Sequence, residues 1–179
     1  HVRSRRQRQM CIRDSSKMKP VFKSDGTVTA GNASGLNDAA AALVMATDQG
    51  LKNGRMRPMA RVVSYGLAGA DPRLMGLGPV PASRLALQRA GLRTDALDVV
   101  ESNEAFAAQA CAVTRALELD PRKVNPNGSG ISLGHPVGAT GAILVTKAVY
   151  ELHRIQGRYA LVTMCIGGGQ GIALIIERV

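Results

Sequence analysis

The sequence predicts an α/β fold: a largely parallel sheet covered by helices, closed by one antiparallel hairpin at its C-terminal end. Three observations carry this. From residue 60 onward, apolar segments follow the order strand, helix, strand, helix, loop, helix, strand, turn, strand, and strands joined through crossing helices come back parallel. The last two strands are separated by only a glycine turn at residues 167–169, which leaves room for a hairpin and nothing larger. The chain has 179 residues, 45% of them hydrophobic, enough for one full domain with its own core.

Taken in order, residues 25–38 (DGTVTAGNASGLND) are rich in Gly, Asn, Ser and Asp and predict a loop, with Asn32, Ser34 and Asn37 able to bond nearby backbone. Residues 39–46 are a short apolar run that suits either a helix or a buried strand, and Gly50 and Gly54 keep the next element short. Residues 60–65 predict a strand. Residues 79–92 open on Pro79 and Pro81, place Leu85, Leu87 and Ala90 on one stripe and stop at Gly91, a helix with a glycine C-terminus. Residues 97–102 predict the second strand, and residues 104–119 an Ala-rich helix ended by Asp120 and Pro121. After a loop through Gly134, residues 138–156 form a third helix, apolar at Ile143, Val145, Val149 and Leu152. Residues 159–166 and 172–177 are the final strands. The functional loops of such a sheet lie beyond the carboxyl ends of its strands. Residues 39–46 and 171–177 each come after a small-residue turn and loosely match, which points to a duplicated fold whose first copy is mostly absent.

Composition narrows the function classes. No apolar run approaches the ~20 residues a membrane-spanning helix needs. Three cysteines at 11, 111 and 165 share no short spacing, which predicts neither a disulfide framework nor a zinc knuckle and fits a reducing, cytoplasmic setting. Aromatics are 3% with no Trp, against base-stacking nucleic-acid modules. The net charge is +10, but residues 1–19 hold seven Lys+Arg against one acid, so most of the excess sits in a tenth of the chain. Such an arm reads as a disordered tail, a nucleic-acid contact or a transit segment. Residues 5–15 (RRQRQMCIRDS) also read as translated library adapter, with the natural sequence expected to begin near Lys17.

Three segments interrupt apolar elements with polar, titratable or small residues. In Ser102-Asn103-Glu104-Ala105-Phe106, Asn103 stands where a strand meets a helix, as a cap or as the holder of a water for a reacting oxygen. In residues 127–130 (NGSG) running into residues 134–141 (GHPVGATG), the glycines let backbone approach a ligand and Gly134 and Pro136 hold the His135 imidazole rigidly, the alternative being an ordinary surface histidine. The segment lacks the GK[ST] ending of a phosphate loop and the GxGxxG spacing of a dinucleotide fingerprint. In residues 164–171 (MCIGGGQG), Cys165 ends a buried strand before glycines whose N–H groups can line an oxyanion pocket. Its thiol is either structural or, with a pKa near neutrality, a proton carrier. Cys111, inside the Ala-rich helix, reads as a buried structural thiol.

Together NEAF, GHPxGATG and CxGGGxG, in this order and separation, resemble the thiolases, the acetyl-CoA acetyltransferase and β-ketothiolase group. Residues 26–38 and the MGxGPxPA segment at 75–82 resemble them too, so the likeness runs from about Lys19 to Val179. NPNGSGISLGHP at residues 125–136 resembles bacterial β-ketothiolases that accept acyl chains longer than acetyl. The resemblance implies two similar halves packed around a shared central helical layer. This chain is then one thiolase-like half, a mixed, mostly parallel five-stranded sheet with helices on both faces. Residues 1–18 are the basic, non-native or disordered segment, 19–58 the end of the N-terminal half, and 59–179 the C-terminal domain.

The implied activity is acyl transfer by thiolytic cleavage or Claisen condensation of 3-ketoacyl-CoA and acetyl-CoA. His135 would activate a nucleophilic thiol and donate to the thioester oxygen; Cys165 would remove or return the α-proton. Asn103, through a held water, would complete one oxyanion hole with His135, and the N–H of Gly167 would serve the other. Ser34 would contact the pantetheine of CoA, and Met75 and Phe106 would line the acyl pocket. By the same resemblance the substrates would be coenzyme A thioesters, with no cofactor and no metal, and the complete enzyme would be a homo-oligomer, a dimer or tetramer, without nucleic-acid or membrane partners. The chemistry needs such a site: an α-proton of a thioester is a very weak acid, and each fixed donor to the enolate oxygen is worth about 3–4 kcal/mol.

The departure is the nucleophile, which in thiolases belongs to the first half. Cys11 lies in the basic segment without the family pattern, so the isolated chain is expected to be inactive. The apolar run at 39–45, having lost its sheet, is expected to be exposed and prone to aggregate. The competing reading is a basic, non-enzymatic nucleic-acid-binding protein.

Overall fold

The computed structural model describes residues 14–179. From residue 48 onward its elements are α1 (Asp48–Gly54), β1 (Ala60–Gly69), α2 (Pro79–Ala90), β2 (Val99–Ser102), α3 (Ala107–Ala116), α4 (Gly130–Leu133), α5 (Thr140–Ile155), β3 (Tyr159–Ile166) and β4 (Gln170–Arg178). Two 3₁₀ turns, Pro72–Leu77 and Thr94–Ala96, join them. The readings of residues 1–13, Cys11 included, fall outside the described residues.

The strands form one sheet in the order β1-β4-β3-β2. β2 runs parallel to β3, and β4 is antiparallel to both β3 and β1. Three of the four strands therefore point the same way, while two of the three pairings are antiparallel. The expected fifth strand is reduced to a single parallel bridge, Val100 with Val124, beyond β2. Its cause is local: a hydrogen-bonded turn runs from Asp120 through Lys123, and Asn125 in the left-handed region followed by Pro126 ends the segment, leaving only Val124 to pair.

Period-2 alternation divides the sheet into two buried faces. Val100, Leu161, Ala173 and Ile175 meet Val80, Ala86 and Leu87 of α2 and Val113 of α3. Val99, Ala160, Val162 and Ile176 meet Leu144, Ala148 and Leu152 of α5 on the other face. Helices on both faces are as expected.

Boundaries moved where tertiary pairing outweighed local signals. β1 runs on to Gly69 because β4 pairs along its length, across a register shift at Val62/Ser64. α2 ends with Gly91 left-handed at φ 65°, as its sequence predicts. α3 begins only at Ala107, with Phe106 at its N-cap, so Asn103 does not cap it. Residues 39–46 are neither helix nor strand; they have no regular structure and are exposed, Val44 at 90% and Met45 at 76%. Cys111 is exposed, not buried. The loop before His135 contains α4, four residues held by a capping box between Ser129 and Ser132.

Candidate active site

The site gathers at the carboxyl ends of the parallel strands β2 and β3. Ser102 is in register with Thr163, and the next N–H, that of Asn103, donates to the Thr163 carbonyl at 3.0 Å. Asn103 and Cys165 thus leave adjacent strands within about one residue of the same level. Asn103 is 1% exposed, and neither its amide oxygen nor its nitrogen has a hydrogen-bond partner. Asn103 borders a cavity of about 20 Å³ shared with Ser129, Gly130, Thr140 and Lys147. That volume has room for one water.

His135 is placed by its backbone. Its N–H donates to the Gly35 carbonyl at 2.9 Å, and a Cβ on the preceding Gly134, at φ +95°, would collide with the Asn37 amide. The ring Nδ1 lies 2.7 Å from Thr140 Oγ1, and the Thr140 hydroxyl donates to the Pro136 carbonyl at 2.9 Å. With its one proton committed, Thr140 can only accept from His135, which assigns the ring proton to Nδ1 and leaves Nε2 as a base. Burial holds the ring below the usual histidine pKa, so it is neutral at pH 7.

Cys165 is buried, and that burial pushes its thiol above the ordinary cysteine value. The near-neutral pKa that would make it a ready base is not what this environment produces; the resting thiol carries its proton. Gly167 opens the glycine turn, exposed, with nothing within 4 Å of where a Cβ would stand. The N-terminus of α5 closes on this strand end, since a Cβ on Gly141 would stand 3.9 Å from the Met164 sulfur.

The loop of residues 32–37 connects the remaining positions. The Ser34 N–H donates to the Ala105 carbonyl at 2.9 Å, Ala33 bridges Phe106, and Leu36 bridges His135. Ser34 and Phe106, both half-buried, are thereby joined to the His135 segment, and the Phe106 ring meets Phe22 edge-on at 5.9 Å. Met75 sits half-buried in the Pro72–Leu77 turn, which packs on α3 through Gly76 and Gln109. An open hollow of about 330 Å³, lined by Ala70, Leu74, Val80 and Arg84 among others, contains none of the expected site residues. Among the described residues no three His, Cys, Asp or Glu side chains cluster as a metal site requires, and no helix is long and apolar enough to cross a membrane.

Three groups without an assigned role in the sequence motifs also stand here. Thr140 orients His135 from within the GHPxGATG segment. Glu101 and Lys147 form a buried pair behind Asn103, Nζ to Oε2 at 2.6 Å. Burial raises the Glu101 carboxyl, against the pull of Lys147.

The sequence profile of the thiolase C-terminal domain matches residues 56–178, and that of the thiolase N-terminal domain matches residues 5–49. The chain belongs to the thiolase family. The N-terminal match reaches into the basic segment that composition sets apart. Among curated thiolases, the chain is 69% identical to the beta-ketothiolase BktB of Cupriavidus necator, over 94% of this chain and 43% of that protein. It is 53% identical to the acetyl-CoA acetyltransferase of Shinella zoogloeoides, over 90% of this chain and 41% of that protein. Among solved thiolase structures, a Bacillus anthracis acetyl-CoA acetyltransferase superposes with TM-score 0.91 at 47% identity, covering 93% of this chain and 42% of that one. Human mitochondrial 3-ketoacyl-CoA thiolase in complex with CoA superposes with TM-score 0.86 at 48% identity, covering 92% and 42%. The chain thus spans about two fifths of the length of these thiolases. The family decides against the nucleic-acid-binding reading of the charge.

Proposed function

We propose that the complete protein to which these residues belong is an acyl-CoA C-acyltransferase, cleaving 3-ketoacyl-CoA with coenzyme A or running the reverse condensation. The observation that carries this reading is the His135–Thr140 contact, Nδ1 to Oγ1 at 2.7 Å with the Thr140 hydroxyl turned to the Pro136 carbonyl, which leaves Nε2 free, while burial favours a neutral His135 and a protonated Cys165 as the resting states. Cleavage needs these two states. His135 Nε2 takes the proton of a nucleophilic thiol supplied from outside residues 14–179, and that sulfur bonds to the 3-keto carbon. As the C–C bond breaks, its electron pair forms the enolate of the departing acyl-CoA, and Cys165 gives the enolate carbon its proton. A coenzyme A thiol then attacks the enzyme-bound acyl carbon, its proton passes to the Cys165 thiolate, and the nucleophile leaves with the proton held on His135. Charge develops on two oxygens in turn. His135 and a water on Asn103 serve one; the Gly167 N–H serves the other.

Ser34 contacts the pantetheine arm in this reading, and Met75 and Phe106 face the acyl chain. Coenzyme A thioesters are the substrates and no further cofactor takes part. The complete protein works as a homo-oligomer in the cytoplasm.

The test completes the chain with the N-terminal portion of the Cupriavidus necator relative and monitors loss of a 3-ketoacyl-CoA on adding coenzyme A. The completed protein is expected to turn over, and His135→Ala to lose about 1,000-fold in kcat. The 179-residue chain alone is expected to be inactive. An inactive completed protein that is correctly folded would overturn the reading.

A further inference from the structure

The chemistry above leaves unused a buried charged pair directly behind it. Glu101 is fully buried and precedes Asn103 by two residues on β2, where it shares Val99's face toward α5. Lys147 of α5, 16% exposed, donates to Glu101 Oε2 at 2.6 Å and also to the carbonyl of Gly128. One ammonium therefore ties together the strand that delivers Asn103, the helix that begins at Thr140, and the turn that leads to His135.

The turn transmits what happens at Gly128. Ser129 Oγ donates to the Ser102 carbonyl at 3.0 Å, and the Ser129–Ser132 capping box starts α4. The Gly134 N–H returns to the Gly130 carbonyl at 3.0 Å, immediately before His135. Gly130 in turn backs onto Asn103: a Cβ there would stand 3.0 Å from the Asn103 amide oxygen. A shift of the turn moves His135 and the wall of the Asn103 cavity together.

Stability alone does not account for the charges. An apolar pair of similar volume usually holds a core as well as a buried ion pair or better. What an apolar pair cannot do is hold the Gly128 carbonyl. We propose that Lys147 and Glu101 are positioning residues for acyl transfer: Lys147 clamps the Gly128 carbonyl and so sets Asn103 against His135, and Glu101 aims the ammonium. This rests on the acyl-transfer reading of the site.

The experiment compares Lys147→Met and the double variant Glu101→Leu/Lys147→Met with the parent, in the completed protein and in the 179-residue chain. Lys147→Met leaves a carboxyl buried without its partner and is expected to unfold at lower temperature; the double variant recovers the parent's thermal midpoint. In the completed protein both variants are expected to lose about 100-fold in kcat, with KM changed less than about threefold. Recovery of kcat together with the midpoint in the double variant would overturn the proposal, because the pair would then be structural only. A readout free of catalysis is hydrogen exchange in the 179-residue chain. Exchange at Leu133 and Gly134 is expected to speed about tenfold in the double variant while β3 amides hold. If the unsubstituted completed protein turns over nothing, the acyl-transfer reading falls and amide exchange judges the clamp alone: unchanged exchange at Leu133 and Gly134 overturns it.

Discussion

The His135 ring owes both its tautomer and its neutrality to immediate surroundings: Thr140 accepts from Nδ1, and burial disfavours the imidazolium. Both can be probed in the completed protein. Thr140→Val removes the acceptor, frees the ring to flip, and is expected to lower kcat about 10- to 100-fold, while Thr140→Ser keeps most activity; steady-state kinetics on both variants checks this. The rate of cleavage is expected to rise with pH as His135 loses its proton, with the midpoint of that limb below the ordinary histidine value of about 6.5. A kcat/KM profile with its acid limb above that value would contradict the assignment. The same depressed pKa has a stability sign. The unfolded chain binds the His135 proton more readily, so folding loses stability as pH falls from 6.5 toward the folded value.

Elements depend on contacts that leave no room for side chains. β1 crosses α2 so closely at Gly66 that a Cβ there would overlap the Ala82 carbonyl and stand 2.9 Å from the Ala86 nitrogen, both backbone atoms. Gly66→Ala is expected to cost at least about 2 kcal/mol, read by urea unfolding, since neither β1 nor α2 can yield without disturbing its ladder. One helical turn beyond Lys147, Glu151 of α5 is held to about pKa 2 by hydrogen bonds from Arg154, with Asn127 adding a second. Its contribution is present above pH 4.5 and lost as pH falls toward 2; with Arg154 two-thirds exposed it amounts to about 1 kcal/mol. Glu151→Gln is therefore expected to destabilise α5 at pH 7 and to approach the parent's stability as pH falls toward 2, by thermal unfolding at both ends of that range. The strands and long helices were legible because period and punctuation are local, as Gly91 after α2 and the glycines between β3 and β4 illustrate. Asn103, His135 and Cys165 were legible as polar interruptions at strand and loop ends. Lys147 and Glu101 were not, because each finds its meaning in a partner far along the chain, and a lysine on an apolar helix reads as a solvated charge. The fifth strand shrank for a related reason: Pro121 and Pro126 bound it in the sequence, but neither announces the turn through Lys123 or the left-handed Asn125 that together cut the pairing to one bridge.

At the scale of the whole molecule, apolar side chains lie uncovered at many of the described positions, and two groups of them bear on the relatives' greater length. Val44 and Met45 are exposed in the irregular segment of residues 39–46, and Tyr65, Leu67 and Ile172 stand together across the β1–β4 pair. The chain spans about two fifths of its relatives, and these surfaces are expected to bind a hydrophobic dye in the 179-residue chain and to stop doing so when the relative's N-terminal portion is added. Dye fluorescence unaffected by that addition would mean that the two surfaces are not where the added portion sits. The His135–Thr140 contact behaves differently from such a divided surface. Base and orienting group sit five residues apart on one short stretch, whereas a dyad drawn from distant segments is assembled only when its parts dock. In the proposed reaction the imidazole is thus already oriented when the nucleophile arrives. What the meeting of the two portions must supply in that reaction is proximity, so errors in docking should cost rate through distance while leaving the Thr140 contact, and with it the ring tautomer, untouched.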